Sequence, residues 1–270
     1  MTDEGLFLFR RAPIVQVGLY LQLFLLLLIG LPILRMVLAT DLEVLRSSIE
    51  DAKVISSILL TLRAALWATL VCAFMGIPMA YLLARHNFFG KGLVEGLINL
   101  PVMIPHNAAG IALLMVYGPR FFIGKLFRDL GISFVGTEWG ISLAMAYVSL
   151  PFLVNAARDG FLSLDPRLEK VARTLGASAW SAFFRITLPL AWRYILTGKI
   201  MMWARGISEF GAVIILTYHP IIAPILIYER LENYGLKYAY PVAVLLILLC
   251  LIIFGLLRLL ASSERRRDLS

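Results

Sequence analysis

Residues 64–84 read AALWATLVCAFMGIPMAYLLA, an apolar run without a single Asp, Glu, Lys or Arg. A helix rises about 1.5 Å per residue and the hydrocarbon core of a bilayer is about 30 Å thick, so roughly 20 such residues suffice for one crossing. The run is apolar all round, with no one-sided helical spacing, as lipid contact demands. Ala12–Leu34, Gly96–Pro119, Trp139–Ala157 and Tyr238–Leu257 are equally free of those charges. A further span, Tyr194 to about Leu216, is apolar but carries Lys199, Arg205 and Glu209. Over the whole chain 60% of residues are hydrophobic and 16% charged, with a mean hydropathy of +0.86. A soluble domain would be far more charged. The expected fold is an all-α integral membrane protein with about six transmembrane helices. It forms a single transmembrane domain over residues 1–270, with spans near 12–38, 56–84, 93–117, 139–157, 194–216 and 239–260.

Orientation follows from the basic residues between the spans. The first stretch follows Arg10 and Arg11. It exceeds the apolar region of a secretory signal and lacks a small-residue cleavage site, so it reads as a retained helix. With a cytoplasmic N-terminus, the inner segments gather Arg10, Arg11, Arg85, Lys91, Arg158, Arg167, Lys170, Arg173, Arg185 and Arg193, then Arg258 and Arg265, Arg266 and Arg267. The outer segments hold fewer. Both termini are expected in the cytoplasm, and the chain is expected to be a multi-pass protein of the cell (inner or cytoplasmic) membrane. The formal charge of +8 is spread over the two membrane faces with no compact basic domain, which argues against nucleic acid as a partner. Cys72 and Cys250 fall inside predicted helices and offer no disulfide framework.

The one large inner segment, residues 158–193, reads RDGFLSLDPRLEKVARTLGASAWSAFFRITLPLAWR. Leu168, Val171, Ala172 and Leu175 recur at three and four, one stripe of a helix. Asp165 fits an N-cap, Pro166 the first helical position, and Gly176 a tight stop. A second short helix over Ala179 to about Thr187 is expected to end before Pro189. The pattern fits a helix resting on lipid headgroups or a docking helix for another protein. The small residues Ala172, Gly176 and Ala177 favour close approach by a partner.

No catalytic constellation is present. His86, His106 and His219 lie far apart with no metal-ligand spacing, so no metal site is expected, and neither a nucleophile elbow nor a phosphate-cradling Gly-rich loop occurs. Two intramembrane features stand out. Glu209 with Arg205 one turn before it is either a functional ionisable group or a self-neutralised packing pair. Pro101, Pro105, His106, Asn107 and Gly110 frustrate a continuous third helix, giving either a packing kink or a pore-lining segment. An ion-coupled secondary transporter would place its coupling group at such a position.

The run LEKVARTLGASAWSAFFRITLPL over residues 168–190 resembles the cytoplasmic signature loop of binding-protein-dependent ABC importer permeases: Glu-Ala-Ala, three residues, Gly, nine residues, Ile, one residue, Leu-Pro. Ala172, Gly176, Ile186, Leu188 and Pro189 are in register; Lys170 and Val171 occupy the first two triplet positions and Glu169 lies one residue early. INLPVMIPHNAAGIALL, VSLPFLVNAARDGFLSLDP, ARGISEFGAVIIL and APILIYERLENYGLKYAYPVA extend the resemblance along most of the chain, toward the molybdate and tungstate permeases, with the sulfate and thiosulfate permeases as neighbours. The resemblance implies a coupling helix between the fourth and fifth spans that docks on a separate ATPase, with Asp165, Leu168, Glu169, Ala172, Leu175, Gly176 and Ala177 at the contact. It implies a homodimer, two ATP-binding subunits that carry ATP and magnesium, and an external oxyanion-binding protein. This chain itself is then a non-catalytic transport subunit without cofactor, embedded in lipid. The pathway or gate is expected at Pro105, His106, Asn107, Arg205, Ser208 and Glu209. Glu209 lies about 15 residues beyond Tyr194, roughly 22 Å up a 30 Å core. Sulfate or thiosulfate import is the alternative reading, and ion-coupled secondary transport a further one.

Overall fold

The structure, a computed structural model, describes the backbone of residues 13–267 and the side chains of residues 15–255. Arg10, Arg11 and the predicted start of the first span at Ala12 lie outside the described residues, as do the side chains of Arg258, Arg265, Arg266 and Arg267. Every regular element among the described residues is helical. We number them α1 (Pro13–Ala39), α2 (Leu42–Glu50), α3 (Ala52–Arg85), α4 (Lys91–Met103), α5 (His106–Tyr117), α6 (Phe122–Asp129), α7 (Glu138–Leu162), α8 (Arg167–Thr174), α9 (Ala179–Ala182), α10 (Leu188–Ile207), α11 (Gly211–Leu216), α12 (Ala223–Tyr234) and α13 (Leu236–Arg267), with a π-helical segment Phe183–Thr187 joining α9 to α10.

Four of these helices, α1, α3, α7 and α13, are long and apolar enough to cross a membrane, and the α4–α5 pair adds a fifth if it counts as one span. The third predicted span is therefore a bent pair: α4 and α5 meet at 118°. Ile104 sits at φ −84°, ψ 148°, the extended conformation that a following proline imposes, and Pro105, still extended at ψ 134°, is the N-cap from which α5 begins at His106. The fifth predicted span, residues 194–216, is also divided, into α10 and α11 around Ser208–Phe210. α10 has the length of a span, but Arg193, Lys199 and Arg205 dilute its apolar character.

α3, α7 and α10 form the core. α3 and α7 run parallel: Arg63 pairs with Glu138 at 2.6 Å near one end, a Cβ on Gly76 would touch Val154 in the middle, and Tyr81 meets Phe161 edge-on near the other. α10 runs against them. Its Gly198 passes so close to α7 that a Cβ there would lie 2.9 Å from Ala156 Cβ and 3.1 Å from the Leu153 carbonyl. Lipid provides no hydrophobic drive between helices, so small residues that admit close backbone packing supply the cohesion. Ala64, Ala65, Ala68, Ala144 and Gly206 are buried along the same seam.

At 1.5 Å per residue α3 is about 50 Å long, enough to pass from one charged layer to another. Around its N-terminus Asp51 pairs with Arg230 at 2.6 Å and Lys53 with Glu229 at 2.9 Å. Around its C-terminus Arg85 pairs with Glu169 at 3.0 Å, and nearby Arg158 of α7 pairs with Glu95 of α4 at 3.2 Å. Two of the segments that the basic residues assign to one face, 85–95 and 158–169, thus meet at one end of the molecule. α1 stands apart, its apolar side chains unburied over Val15–Ala39.

Candidate functional site

At the α3 C-terminal end, the connection from α7 to α10 folds as a short helix and a returning segment. The Asp165 carboxylate accepts from the Arg167 N–H at 2.8 Å, which satisfies one orphan donor at the start of α8. α8 closes through a Schellman arrangement: the Gly176 N–H donates to the Arg173 carbonyl at 3.1 Å and the Ala177 N–H to the Ala172 carbonyl at 3.0 Å. That closure needs a left-handed residue, and Gly176 supplies it at φ +93°. The expected bounds of this helix, Pro166 to Leu175, differ from α8 by one residue at each end.

The returning segment departs from expectation. The helix beginning at Ala179 does not stop before Pro189 but runs on through the π segment into α10. The Leu188 N–H donates to the Phe183 carbonyl, five residues back. Proline lacks the N–H that an α-turn would use, and it enters here in the first turn of α10, directly after a π-turn that already displaces the hydrogen-bond register.

Within α8 the side chains divide by face. Ala172 is buried against the body, whereas Leu168, Val171 and Leu175 are exposed. Glu169 points to α3: its carboxylate accepts from Arg85 Nε at 3.0 Å and from the Tyr81 hydroxyl at 2.6 Å, and Arg85 also donates to the Leu164 carbonyl at 3.1 Å. Glu169 therefore ties α8 to the end of α3. Sequence reasoning missed Arg85 and Tyr81 as its partners; the only signal was their place in the last turns of a span that ends on the same face.

The second cluster lies where the two broken spans cross. Glu209, in the break between α10 and α11, is fully buried at 0% exposure. Its Oε2 faces His106 Nδ1 at 2.7 Å and accepts from Arg205 Nη2 at 3.1 Å, and its Oε1 accepts from the Ala212 N–H at 2.8 Å. The carboxylate next to Nδ1 assigns the ring proton to that nitrogen. Arg205 Nη2 lies almost equally far from His106 Nδ1 and Nε2, 3.0 and 2.9 Å, which puts the guanidinium over the imidazole face and not on a ring lone pair. Arg205 Nη1 donates to Ser208 Oγ at 3.3 Å.

Backbone contact fixes this crossing. A Cβ on Gly110 of α5 would lie 2.8 Å from the Ala212 carbonyl, and one on Gly211 would lie 2.6 Å from Asn107 Oδ1 and 2.8 Å from His106 Cβ. Pro105 is the N-cap of α5 immediately beside them. All six residues singled out for the pathway, Pro105, His106, Asn107, Arg205, Ser208 and Glu209, thus belong to one junction. Gly211 and the Ala212 N–H were not anticipated. The cluster buries its carboxylate while the Arg205 and His106 side chains stay partly exposed, 22% and 38%, so the guanidinium is the charge it presents outward, and His106, with its proton on Nδ1, offers Nε2 as an acceptor.

Comparisons with known proteins agree on the kind of chain this is. It is 43% identical to a molybdate/tungstate transport system permease protein of Thermococcus kodakarensis, over 94% of this chain and 99% of that protein. It is 36% identical to a probable sulfate transport system permease protein of Chlorokybus atmophyticus, over 75% of this chain and 72% of the relative. Among solved structures it resembles a chain of a bacterial ABC transporter that imports the acidic polysaccharide alginate, with a TM-score of 0.74 at 19% identity over 98% of this chain and 99% of that one. The methionine ABC transporter in inward-facing form shares the fold at a TM-score of 0.59 and 14% identity, over 79% of this chain and 95% of that one. Residues 74–266, which include α8, the π segment and the junction of the broken helices, match the model of the binding-protein-dependent transport system inner membrane component family, and the chain belongs to that family.

Proposed function

We propose that this chain is the membrane-spanning subunit of an ATP-driven importer for molybdate- and tungstate-type oxyanions. The observation that carries the substrate class is the 43% identity to the Thermococcus molybdate/tungstate permease over nearly the full length of both proteins. The sulfate permeases are more distant and cover less of the chain. The proposed unit is a homodimer with closed two-fold symmetry, which lets one kind of chain meet two ATPase subunits. A soluble oxyanion-binding protein delivers the cargo from outside. Six crossings per chain, with α10 and α11 as the fifth and both termini in the cytoplasm, complete the topology.

Energy enters as motion. ATP and magnesium sit on the partner ATPases, and α8 docks there through Leu168, Val171 and Leu175. ATP binding draws the two copies of α8 together, and the Glu169–Arg85 pair passes that displacement to α3 as a rigid-body rotation. The junction of α5 with α11 acts as the outer gate. Its buried Glu209 organises Arg205 and His106 without meeting the anion, which a bare carboxylate would repel. A tetrahedral oxyanion needs only donors and positive charge that hold it weakly enough to let it leave.

The decisive experiment is uptake of labelled molybdate into proteoliposomes containing this chain, its ATPase and its binding protein. The expected result is ATP-dependent accumulation, competed by tungstate and not by sulfate. Equal competition by sulfate would move the substrate to the sulfate class, and uptake that follows a proton or sodium gradient without ATP would overturn the importer reading.

A further inference from the structure

An apolar groove of about 720 Å³ runs between Phe74, Ile77 and Leu82 of α3 and Phe183 and Phe184 of the π segment. It opens outward: Phe74 is 84% exposed and Phe184 55%. At one end it meets a polar basin of about 470 Å³ formed by Lys170, Arg173, Thr174 and Ser178, and Lys170 and Arg173 line both. The two features adjoin through Lys170, Arg173 and Ala179, so an apolar body borders a cationic mouth.

The two cations are available to a ligand. Glu169 and Arg85 in the groove wall neutralise each other, whereas Lys170 and Arg173 have no carboxylate within ion-pair distance among the described residues. Of the residues assigned to the ATPase contact, Ala177 borders the basin and Glu169 the groove, but the apolar stripe Leu168, Val171 and Leu175 lines neither. At 3.6 residues per turn, Lys170 and Arg173 lie on the side of α8 roughly opposite Leu168, Val171 and Leu175. The groove's α3 wall extends from Ala73 to Arg85, about 18 Å of helix, close to the ~15 Å depth of one leaflet's hydrocarbon. The basic mouth then stands at headgroup level on the face richest in Lys and Arg.

We propose that the groove and its basin hold an anionic phospholipid of the inner leaflet, its phosphate between Lys170 and Arg173 and an acyl chain along the α3 groove. Basic pockets between membrane helices on the cytoplasmic side bind anionic headgroups in this way. A second copy of the chain is the competing occupant, but its α1, Pro13–Ala39, contains no carboxylate to meet Lys170 and Arg173. The lipid would brace α8 against α3 from the side that the ATPase leaves open. This inference rests on the membrane orientation proposed above.

The test is native mass spectrometry of the full-length protein in detergent, mixed with equal amounts of phosphatidylglycerol and phosphatidylcholine. The parent should retain phosphatidylglycerol roughly tenfold to thirtyfold over phosphatidylcholine, from about a fivefold gain per cation. The pair Lys170→Arg with Arg173→Lys should keep that preference, and Lys170→Gln with Arg173→Gln should bring it near parity. Parity in the parent, an undiminished preference in the Gln variant, or release of the lipid by excess inorganic phosphate would overturn the proposal. So would a Phe74→Cys variant that cross-links to a cysteine in α1 of another copy while phosphatidylglycerol binding is unchanged. If Ser178→Cys is labelled only from outside the cell, the orientation fails; parity with labelling only from inside removes the lipid proposal alone.

Discussion

Replacing Glu209 tests whether the junction of the broken helices is a built gate or an ordinary packing contact. The side chain is fully buried and accepts from Arg205, His106 and the Ala212 N–H. Glu209→Ala leaves the Ala212 N–H unsatisfied, which costs about 1–3 kcal/mol, and opens a small void. It also strips Arg205 of the one carboxylate it meets among the described residues; a fully buried pair broken this way loses about 3–5 kcal/mol, but Arg205 is partly exposed and water will recover much of that. A total near 3 kcal/mol is expected. Glu209→Gln keeps the shape and an acceptor for Ala212 but loses the charge, so about 1–2 kcal/mol is expected. The measurement is unfolding in mixed micelles, combined with a double-mutant cycle against Arg205→Met. The pair should show a coupling energy of at least about 0.5 kcal/mol, the lower bound for groups sharing one network. In proteoliposomes the gate should leak, so ATP hydrolysis by the assembled complex should persist while molybdate accumulation falls severalfold. If Glu209→Ala is as stable as the parent, or its coupling to Arg205 is zero, the carboxylate does not organise the junction and the gate argument fails.

Gly176→Leu should cost about 1–2 kcal/mol locally, because a left-handed conformation at φ +93° strains any residue with a Cβ, and transport per ATP should fall in an assembled complex; unchanged transport would remove the docking role of α8. Arg85→Gln should free Glu169 and loosen α8 from α3, seen as faster proteolysis of the 167–187 segment and reduced coupling, whereas a tight α8 in that variant would show that apolar contacts alone hold it. Ser208→Ala, which removes one distal ligand of Arg205, should alter uptake less than twofold, and a larger loss would place Ser208 on the pathway itself. Cysteines at positions 122 and 178 should be labelled from outside and inside respectively, and the reverse pattern would invert the whole topology.

The difference between what was legible in the sequence and what was not follows from the range of the interactions concerned. Helix existence, the apolar spans and the short helix α8 were readable because they depend on local composition, spacing and capping: Asp165 and Gly176 bound α8 within one residue of expectation. The π segment was not, since Pro189 reads as a stop unless the preceding turn has already given up its α-register, and only the packing of Phe183 against Tyr81 and Phe161 makes that turn visible. The 118° bend was foreshadowed by Pro101 and Pro105 but its size was not, because proline removes a hydrogen bond without choosing where the chain goes next. That choice is made across the junction. Gly110 and Gly211 let α5 and α11 touch backbone to backbone, and Glu209, two residues past the end of α10, finds its donors on both. A charged residue that hydropathy treats as a flaw in a span is therefore what satisfies the polar groups that the break in that span exposes. The flaw and the break account for each other, and neither would be stable in lipid without the other.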